Sequence, residues 1–384
     1  LTNVSTTTSI PIMRPFLGTE EQEAAAAAVA SGWIAQGPRV KEFEAAFAEY
    51  AGAEHAVAVS SCTTGLHLAL VVAGIGPGDE VIVPSLSFIA TANAVTYVGA
   101  TPVFADIDLA TNNLTVDTIE AVRTPATKAV ILVHQGGMPA DVASIRPYCE
   151  QHGVLVVEDS ACAAGSTIGD GIAGGDAAIG AYSFHPRKIL TTGEGGMVVT
   201  SNPEWATRLV RLREHGMSMS AADRHAAGGA PVIEQYLEIG FNYRMTDIQA
   251  AVGLVQLGRL PEVIGRRREL ASRYAEALGD IDGIGLPADP AWGTTNFQSY
   301  LVLLPEDSPI SRNDLMAVLA DQGISTRRGI MASHLEPAYA NHPHGDLSAT
   351  ERSTNDSITL PLFHELTTTD QDRVIDAVRR AFTR

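Results

Sequence analysis

An α/β fold, a large doubly wound and mostly parallel sheet joined to a smaller α+β unit, is predicted by three features of this 384-residue chain. Short, β-branched apolar runs read as strands buried on both faces: Val81-Ile82-Val83, Pro102-Val103-Phe104, Val130-Ile131-Leu132-Val133 and residues 154–157. Helix-length segments such as 88–98 and 139–152 separate them, and this alternation builds a parallel sheet covered by helices on both sides. After about residue 250 the rhythm changes to a long helical stretch over 248–278 carrying Arg266, Arg267 and Arg268. A strand-like run over 300–304, a helix near 311–322 and a terminal helix over 370–382 follow. The expected division is a large α/β domain over 1–250, with 1–18 as an N-terminal arm, and a small α+β domain over 251–384. No Pro/Gly-rich linker marks the junction.

Residues 1–10 are rich in Ser and Thr and lack the basic and apolar segments of a leader, so they read as a loose terminus. The spacing Thr19-x-x-Gln22 is a capping pattern for the alanine-rich helix that follows, and Gly32 is its stop. A strand over 56–60 turns through Ser61-Cys62-Thr63-Thr64 into an apolar-periodic helix. Free N–H groups and the positive dipole end at such a helix start make an anion site, to which Ser61, Thr63 and Thr64 add hydroxyl donors.

The run over 154–157 ends in Glu158-Asp159, which places a carboxylate at the carboxyl end of a strand, where open α/β sheets bind ligands. The next strand, Ala178-Ile179-Gly180-Ala181-Tyr182-Ser183-Phe184, leads into His185-Pro186-Arg187-Lys188. Gly193, Gly195 and Gly196 then leave room for a ligand before the run Met197-Val198-Val199-Thr200. An anion cradle, a strand-end carboxylate and a loop lysine, in this order, point to pyridoxal 5′-phosphate. That cofactor needs an amine to form its imine, an acid to keep its ring nitrogen protonated and donors for its phosphate.

With these residues in place, the chain resembles the DegT/DnrJ/EryC1/StrS family of fold-type I, pyridoxal-phosphate-dependent aminotransferases. The resemblance begins at Ser31-Gly32-Trp33-Ile34-Ala35-Gln36-Gly37-Pro38 and passes through Ala92-Asn93-Ala94-Val95 and the lysine loop. It continues through Gly240-Phe241-Asn242-Tyr243-Arg244-Met245 to Leu360-Pro361-Leu362-Phe363. It implies that Lys188 is the Schiff-base lysine and Asp159 the partner of the pyridinium nitrogen. It also implies phosphate contacts from Thr63, Thr64 and Ser183, ring stacking by Phe88, and a homodimer in which Asn242 serves the site of the partner subunit.

Two positions depart from the family pattern: Cys62 stands where many members have Gly, and Cys162 where many have Gln or His. The side chain at position 162 often reaches the cofactor's 3′-oxygen, and a thiol is a poor hydrogen-bond partner for it. For substrate, Arg327-Arg328-Gly329-Ile330 and Ser333-His334-Leu335 match a segment facing the active site. Guanidinium groups suit a carboxylate or a diphosphate. Arg14, His134, His185 and His334 complete the candidates.

The implied reaction moves an amino group from an amino acid, L-glutamate, to a nucleotide-linked keto-deoxysugar, for the biosynthesis of an antibiotic sugar or a surface polysaccharide. A free cyclitol ketone as acceptor, or a non-catalytic cofactor-binding regulator, are the alternatives. A dehydratase of the same fold carries histidine in place of Lys188. A dinucleotide-binding module would need a Gly-x-Gly-x-x-Gly that residues 61–66 lack.

The net charge of −18 argues against nucleic acid or an anionic membrane as partner, so any anionic substrate must be met by a local basic cluster. No apolar run reaches the ~18 residues that suggest a membrane span. Cys62, Cys149 and Cys162 show neither metal-ligand spacing nor an even count, which points to a reducing cytoplasm and to no metal. Asn3-Val4-Ser5 and Asn113-Leu114-Thr115 match the glycosylation pattern, which carries no weight without a secretion signal.

Overall fold

The computed structural model describes residues 9–219 and 233–383. Asn3-Val4-Ser5 and the first eight residues of the expected loose terminus lie outside the described residues. Two helices come first, α1 (Thr19–Ala30) and α2 (Pro38–Ala51), followed by β1 (His55–Val59) and α3 (Cys62–Val72). The alternation continues with β2 (Glu80–Pro84), α4 (Ala90–Tyr97), β3 (Thr101–Ala105), α5 (Val116–Glu120), β4 (Thr127–Val133), α6 (Val142–Gln151) and β5 (Leu155–Asp159). A short pair, β6 (Thr167–Ile168) and β7 (Gly171–Ile172), precedes β8 (Ile179–Ser183), β9 (Gly196–Thr200) and α7 (Pro203–Leu212).

Seven of these strands form the main sheet in the order β1-β9-β8-β5-β4-β2-β3. From β3 to β8 the pairings are parallel, whereas β9 runs antiparallel to both β8 and β1. A parallel return needs a crossover, commonly a helix, and the segment from 184 to 195 contains none, so β9 comes back alongside β8 in the opposite sense.

Side chains alternate across this sheet. Val57, Val81, Val83, Ile131, Val157, Ile179 and Val198 share one core with α3 and α4. On the opposite face, Ala58, Tyr182, Met197 and Val199 pack with Phe43 and Phe47 of α2, and Ile82, Val130, Leu132 and Val156 pack with Ile145 of α6. Burial on both faces explains why the sequence shows continuous apolar runs rather than alternation.

The second half of the chain carries α8 (Asp247–Leu278), β10 (Gly293–Thr294), β11 (Tyr300–Leu303), α9 (Arg312–Ala320), β12 (Arg327–Arg328), α10 (Ser348–Asp356), β13 (Ser357–Leu360) and α11 (Thr368–Phe382). Strands β11, β13 and β12 make an antiparallel sheet in that order. Helix α8 spans two cores. Ala250, Leu260 and Val263 pack with α2, and Leu270, Ala271, Tyr274 and Leu278 pack with β11, β13, α9 and α11. The hand-over thus falls between Val263 and Leu270, inside a continuous helix, which is why no linker is legible near residue 250. Ile10 also enters this second core and bridges to Ile324.

At the start of α1 the cap sits one residue earlier than its sequence pattern. The cap is Gly18, whose N–H donates to Glu21 Oε2 at 2.7 Å. Glu21 is also held by Gln256 and Arg259 of α8, and these tertiary partners choose it over Gln22.

Candidate active site

The carboxyl ends of four parallel strands open on one cavity of about 1170 Å³. Strand β2 leads to Ser87 and Phe88, β4 to Gln135, β5 ends on Asp159, and β8 ends on Ser183 and leads to Lys188; all of these line it. The register sets Asp159 beside Val133 on one side and Ala181 on the other, so the carboxylate stands at the middle of the rim.

Helix α3 points its N-terminus at the same cavity. Ser61 is its cap and accepts from the Thr64 N–H, while the amides of Cys62 and Thr63 have, by position, no acceptor within the helix. Gly196 of β9 lies flat against this turn: a Cβ there would fall 2.6 Å from the Cys62 nitrogen. The side chains of Ser61, Thr63 and Ser183 line the cavity. Thr64, expected to join them, does not. Its hydroxyl accepts from the Ser61 N–H at 3.1 Å and donates to the Ser61 carbonyl at 2.8 Å, so the capping box consumes it. Asn242 is exposed and is not among the residues lining this chain's cavity, with its backbone bridged to Glu214. Phe88 lines the cavity with 57% of its surface exposed.

Asp159 is buried and held from several sides. Thr91 Oγ1 donates to Oδ2 at 3.0 Å, the Ala161 N–H donates to Oδ1 at 3.1 Å, and the Cys62 thiol lies 3.9 Å from Oδ1. Because Thr91 spends its proton on Asp159, it accepts from Ser87 Oγ at 2.8 Å, and the two hydroxyls form a relay ending on the carboxylate. Burial pushes the Asp159 carboxyl above its ordinary value, against the pull of these donors and of Lys188. A desolvated carboxylate of this kind gains strongly from a cation set against it. Burial likewise holds the Cys62 thiol well above its usual range, and so protonated.

The loop carrying Lys188 is pinned at both ends. Phe184 N–H donates to Gly195 O, Thr192 N–H returns to Phe184 O, and the Phe184 ring packs 5.3 Å from Phe43 and 5.5 Å from Phe47. Lys188 is half-buried, with Nζ 3.1 Å from Cys162 Sγ. Burial alone would lower this amine. Cys162, which accepts a hydrogen bond from the amine, and Asp159 outweigh burial and hold the amine above the ordinary lysine value. An anion cradle, a desolvated carboxylate and an amine on one cavity are the donor set that pyridoxal 5′-phosphate requires, and the residues present fit that cofactor.

The substrate candidates separate. Arg327, Arg328 and His185 line the cavity. Both arginines are exposed on β12, and Arg328 lies 3.5 Å from Glu336. His185 Nδ1 accepts from the Arg187 N–H, and burial pulls its imidazole below the usual value.

His134, His334 and Arg14 do not reach the cavity. His134 is wholly buried: the Ala140 N–H donates to Nδ1, which leaves the proton on Nε2 to donate to Glu158 at 3.0 Å. His334 is fixed by Ser85 Oγ at 2.7 Å from Nδ1 and by Glu351 at 3.4 Å from Nε2. Arg14 forms an exposed pair with Glu365.

Several lining or supporting residues were not expected from the sequence. Ser87 lies just before α4 and Thr91 in its first turn, where both read as helix-start polar residues; only the fold sets them against Asp159. Gln135 lines the cavity and donates to the Leu86 carbonyl. Gln298, from the far half of the chain, reaches the lysine loop, and no local pattern marks it.

Among the described residues no group of three or more His, Cys, Asp or Glu is placed to hold a metal, and no helix is long and apolar enough to cross a membrane.

The model of the DegT/DnrJ/EryC1/StrS aminotransferase family matches residues 15–379. Among solved structures, the aminotransferase TlmJ from Streptoalloteichus hindustanus is 40% identical, with a TM-score of 0.89, covering 97% of this chain and 99% of that one. DesI, solved in the presence of its TDP-sugar product, is 35% identical with a TM-score of 0.88, covering 98% and 93%. The putative sugar aminotransferase Spr1654 from Streptococcus pneumoniae, in its PLP form, is 29% identical with a TM-score of 0.90, covering 98% and 99%. The chain belongs to the DegT/DnrJ/EryC1/StrS family of sugar aminotransferases, and with that membership come dependence on pyridoxal 5′-phosphate and the fold-type I architecture.

Proposed function

We propose that this enzyme transfers an amino group from L-glutamate to the keto group of a nucleotide-linked deoxysugar, with Lys188 and Asp159 as its catalytic pair. The observation that carries the reading is that one cavity of about 1170 Å³ holds the Lys188 amine, the Asp159 carboxylate and the start of α3, and extends to Arg327 and Arg328. That volume exceeds what the cofactor needs, so a sugar has room beside it. The two guanidinium groups supply, in a chain of net charge −18, the local positive charge that a diphosphate or the glutamate carboxylate requires.

When bound, the cofactor supplies an electron sink for the carbanion formed at the substrate carbon. The chain's own residues do the rest. Asp159 holds a proton on the ring nitrogen, and Thr91 with Ser87 keeps its carboxylate aimed. The α3 N–H groups with Thr63 and Ser183 take the phosphate. Lys188 Nζ, on the cavity wall, accepts and returns the proton that changes carbon. Cys162 stands against that amine without a second donor to offer.

We further propose that the working unit is a homodimer in which Asn242 completes the partner's phosphate site. Its exposure outside the lining of its own chain's cavity supports this, as does the apolar surface of Phe88 and Tyr97, 57% and 58% exposed. The three unpaired cysteines favour the cytoplasm, where thiols stay reduced.

A two-step assay tests the substrate assignment. Glutamate alone converts the bound cofactor to its amine form, and a nucleotide-linked keto-deoxysugar reverses the change. If glutamate converts the cofactor and only a free cyclitol ketone restores it, the cyclitol reading replaces this one.

A further inference from the structure

The segment 295–298 lies in the second half of the chain, just before β11, yet it is fastened to both catalytic loops. Asn296 is completely buried, and its amide Nδ2 donates to the carbonyls of Cys162 and Ala164, each at 2.8 Å. Two residues on, the Gln298 side chain spans the lysine itself: its Oε1 accepts from the Ile189 N–H at 3.0 Å and its Nε2 donates to the Arg187 carbonyl at 2.6 Å. One side-chain amide thus ties the main chain immediately before and immediately after Lys188.

The segment is itself held in an uncommon shape. Phe297 has φ of 50°, a left-handed conformation that a bulky side chain adopts only when its surroundings impose it. The imposing group is Arg267 of α8, 4% exposed, whose Nε donates to the Phe297 carbonyl at 2.9 Å and whose NH2 donates to the Gln298 carbonyl at 2.8 Å. The Gln298 N–H is taken by Asn296 Oδ1 at 2.7 Å, which closes the turn. Neighbouring Arg268 binds the Thr295 carbonyl at 2.7 Å, and Asp289 binds the Thr295 N–H at 2.8 Å. The turn is therefore anchored at Thr295, Asn296, Phe297 and Gln298, and the Gln298 amide grips the lysine loop.

We infer that Gln298 is a positioning residue for Lys188, fixing the backbone on both sides of the lysine so that Nζ stands at the reacting carbon, with Arg267 holding Gln298 in turn. The inference rests on Lys188 being the catalytic amine. The loop needs such a clamp. Residues 185–192 form no strand or helix; His185 holds the Arg187 and Lys188 N–H groups, and Gln298 supplies the bonds to the Arg187 carbonyl and the Ile189 N–H on either side of the lysine. Misplacement of a reacting group by about 1 Å costs on the order of 10²-fold in rate.

The test compares the parent holoenzyme with Gln298→Met, Gln298→Glu and Lys188→Ala. Methionine keeps the length and volume and removes both hydrogen bonds; glutamate keeps an acceptor for the Ile189 N–H and loses the donor to Arg187. Steady-state kinetics, borohydride trapping of cofactor at residue 188 by mass spectrometry across pH, and the thermal midpoint are read for each. The expected result for Gln298→Met is kcat lower by about 10- to 100-fold with KM for both substrates within about threefold. A shifted pH midpoint for trapping accompanies it, with Gln298→Glu intermediate in both. A Gln298→Met enzyme whose kcat stays within about twofold and whose trapping midpoint is unmoved overturns the inference. So does a loss of kcat that follows the thermal midpoint while the trapping profile stays that of the parent. Lys188→Ala separates this failure from that of the underlying reading: persistence of a trapped adduct and of turnover in that variant would remove Lys188 itself from catalysis.

Discussion

The Lys188 amine donates to the sulfur of Cys162 at 3.1 Å, which sets this thiol against the amine proposed to be catalytic. The other two cysteines are shut away. Burial holds the Cys62 thiol well above its usual range and pushes Cys149 up to about 11. Cys162 is half-exposed on the cavity wall, and thiol reactivity follows access and thiolate character. Iodoacetamide should therefore modify Cys162 first, as read by peptide mass spectrometry, and the added group should crowd Lys188 and block borohydride-trapped cofactor. Prior loading with pyridoxal 5′-phosphate should protect it. Faster labelling of Cys149, or undiminished trapping after Cys162 is fully alkylated, would contradict this geometry.

Replacing Asp159 by Asn should divide stability from catalysis. The folded-state carboxyl sits above its ordinary value of 3.8, chiefly because it is buried. A folded state that holds the proton more tightly than the unfolded chain loses stability as pH rises from the unfolded value through the folded one. At neutral pH the ionised group is then a net cost to the apoenzyme. Asp159→Asn should raise the apoenzyme's thermal midpoint at pH 7, and this gain should vanish at low pH, where both forms are neutral. On the role proposed for Asp159, the same change removes the charge that keeps the ring nitrogen protonated. Turnover should fall by about 10²-fold or more, against less than about tenfold for Cys162→Ala. Comparable losses in the two variants would mean Asp159 has another role.

Thr91 offers a finer probe of the same carboxylate. Its hydroxyl donates to Oδ2 at 3.0 Å and receives from Ser87, so Thr91→Val removes a charge-assisted hydrogen bond while keeping the shape of the side chain. Hydrogen bonds to charged groups contribute about 1.5–3 kcal/mol, or roughly ten- to a hundredfold in an equilibrium constant. Cofactor affinity, measured by absorbance titration, should weaken by about that factor in Thr91→Val and by less in Ser87→Ala, which acts one bond further away. Equal effects of the two would show that the relay is not directed at Asp159.

The parts of this site that were legible in the sequence are those built by a strand and the turn that follows it. Asp159 closes β5, Ser183 closes β8, and Thr63 opens α3, so local pattern alone places each at the rim. Residues that depend on a distant partner were not legible. His134 and His334 sit at strand-end and loop positions that resemble pocket positions, yet Glu158 with Ala140, and Ser85 with Glu351, draw them into the interior. Gln298 shows the converse: a polar residue beside an apolar run, which reaches the lysine loop only because Arg267 and a left-handed Phe297 turn it there. Thr64 stays out of the cavity lining for a local reason, since the capping box takes the hydroxyl that a phosphate would use.

The proposed shared-site dimer makes the most exacting prediction, because it concerns two residues far apart in the sequence. Lys188 lines the cavity of its own chain, while Asn242 is exposed and does not line it. Lys188→Ala homodimers and Asn242→Ala homodimers should each be impaired, the first nearly inactive. When the two are mixed and allowed to exchange subunits, one site of each hybrid carries both lesions and the other carries neither. Half of the hybrid's sites then regain full function. Activity should rise above the average of the separate preparations, and only one chain type should trap cofactor at residue 188. If native mass spectrometry shows hybrids and activity stays at the average, Asn242 does not serve the partner's site.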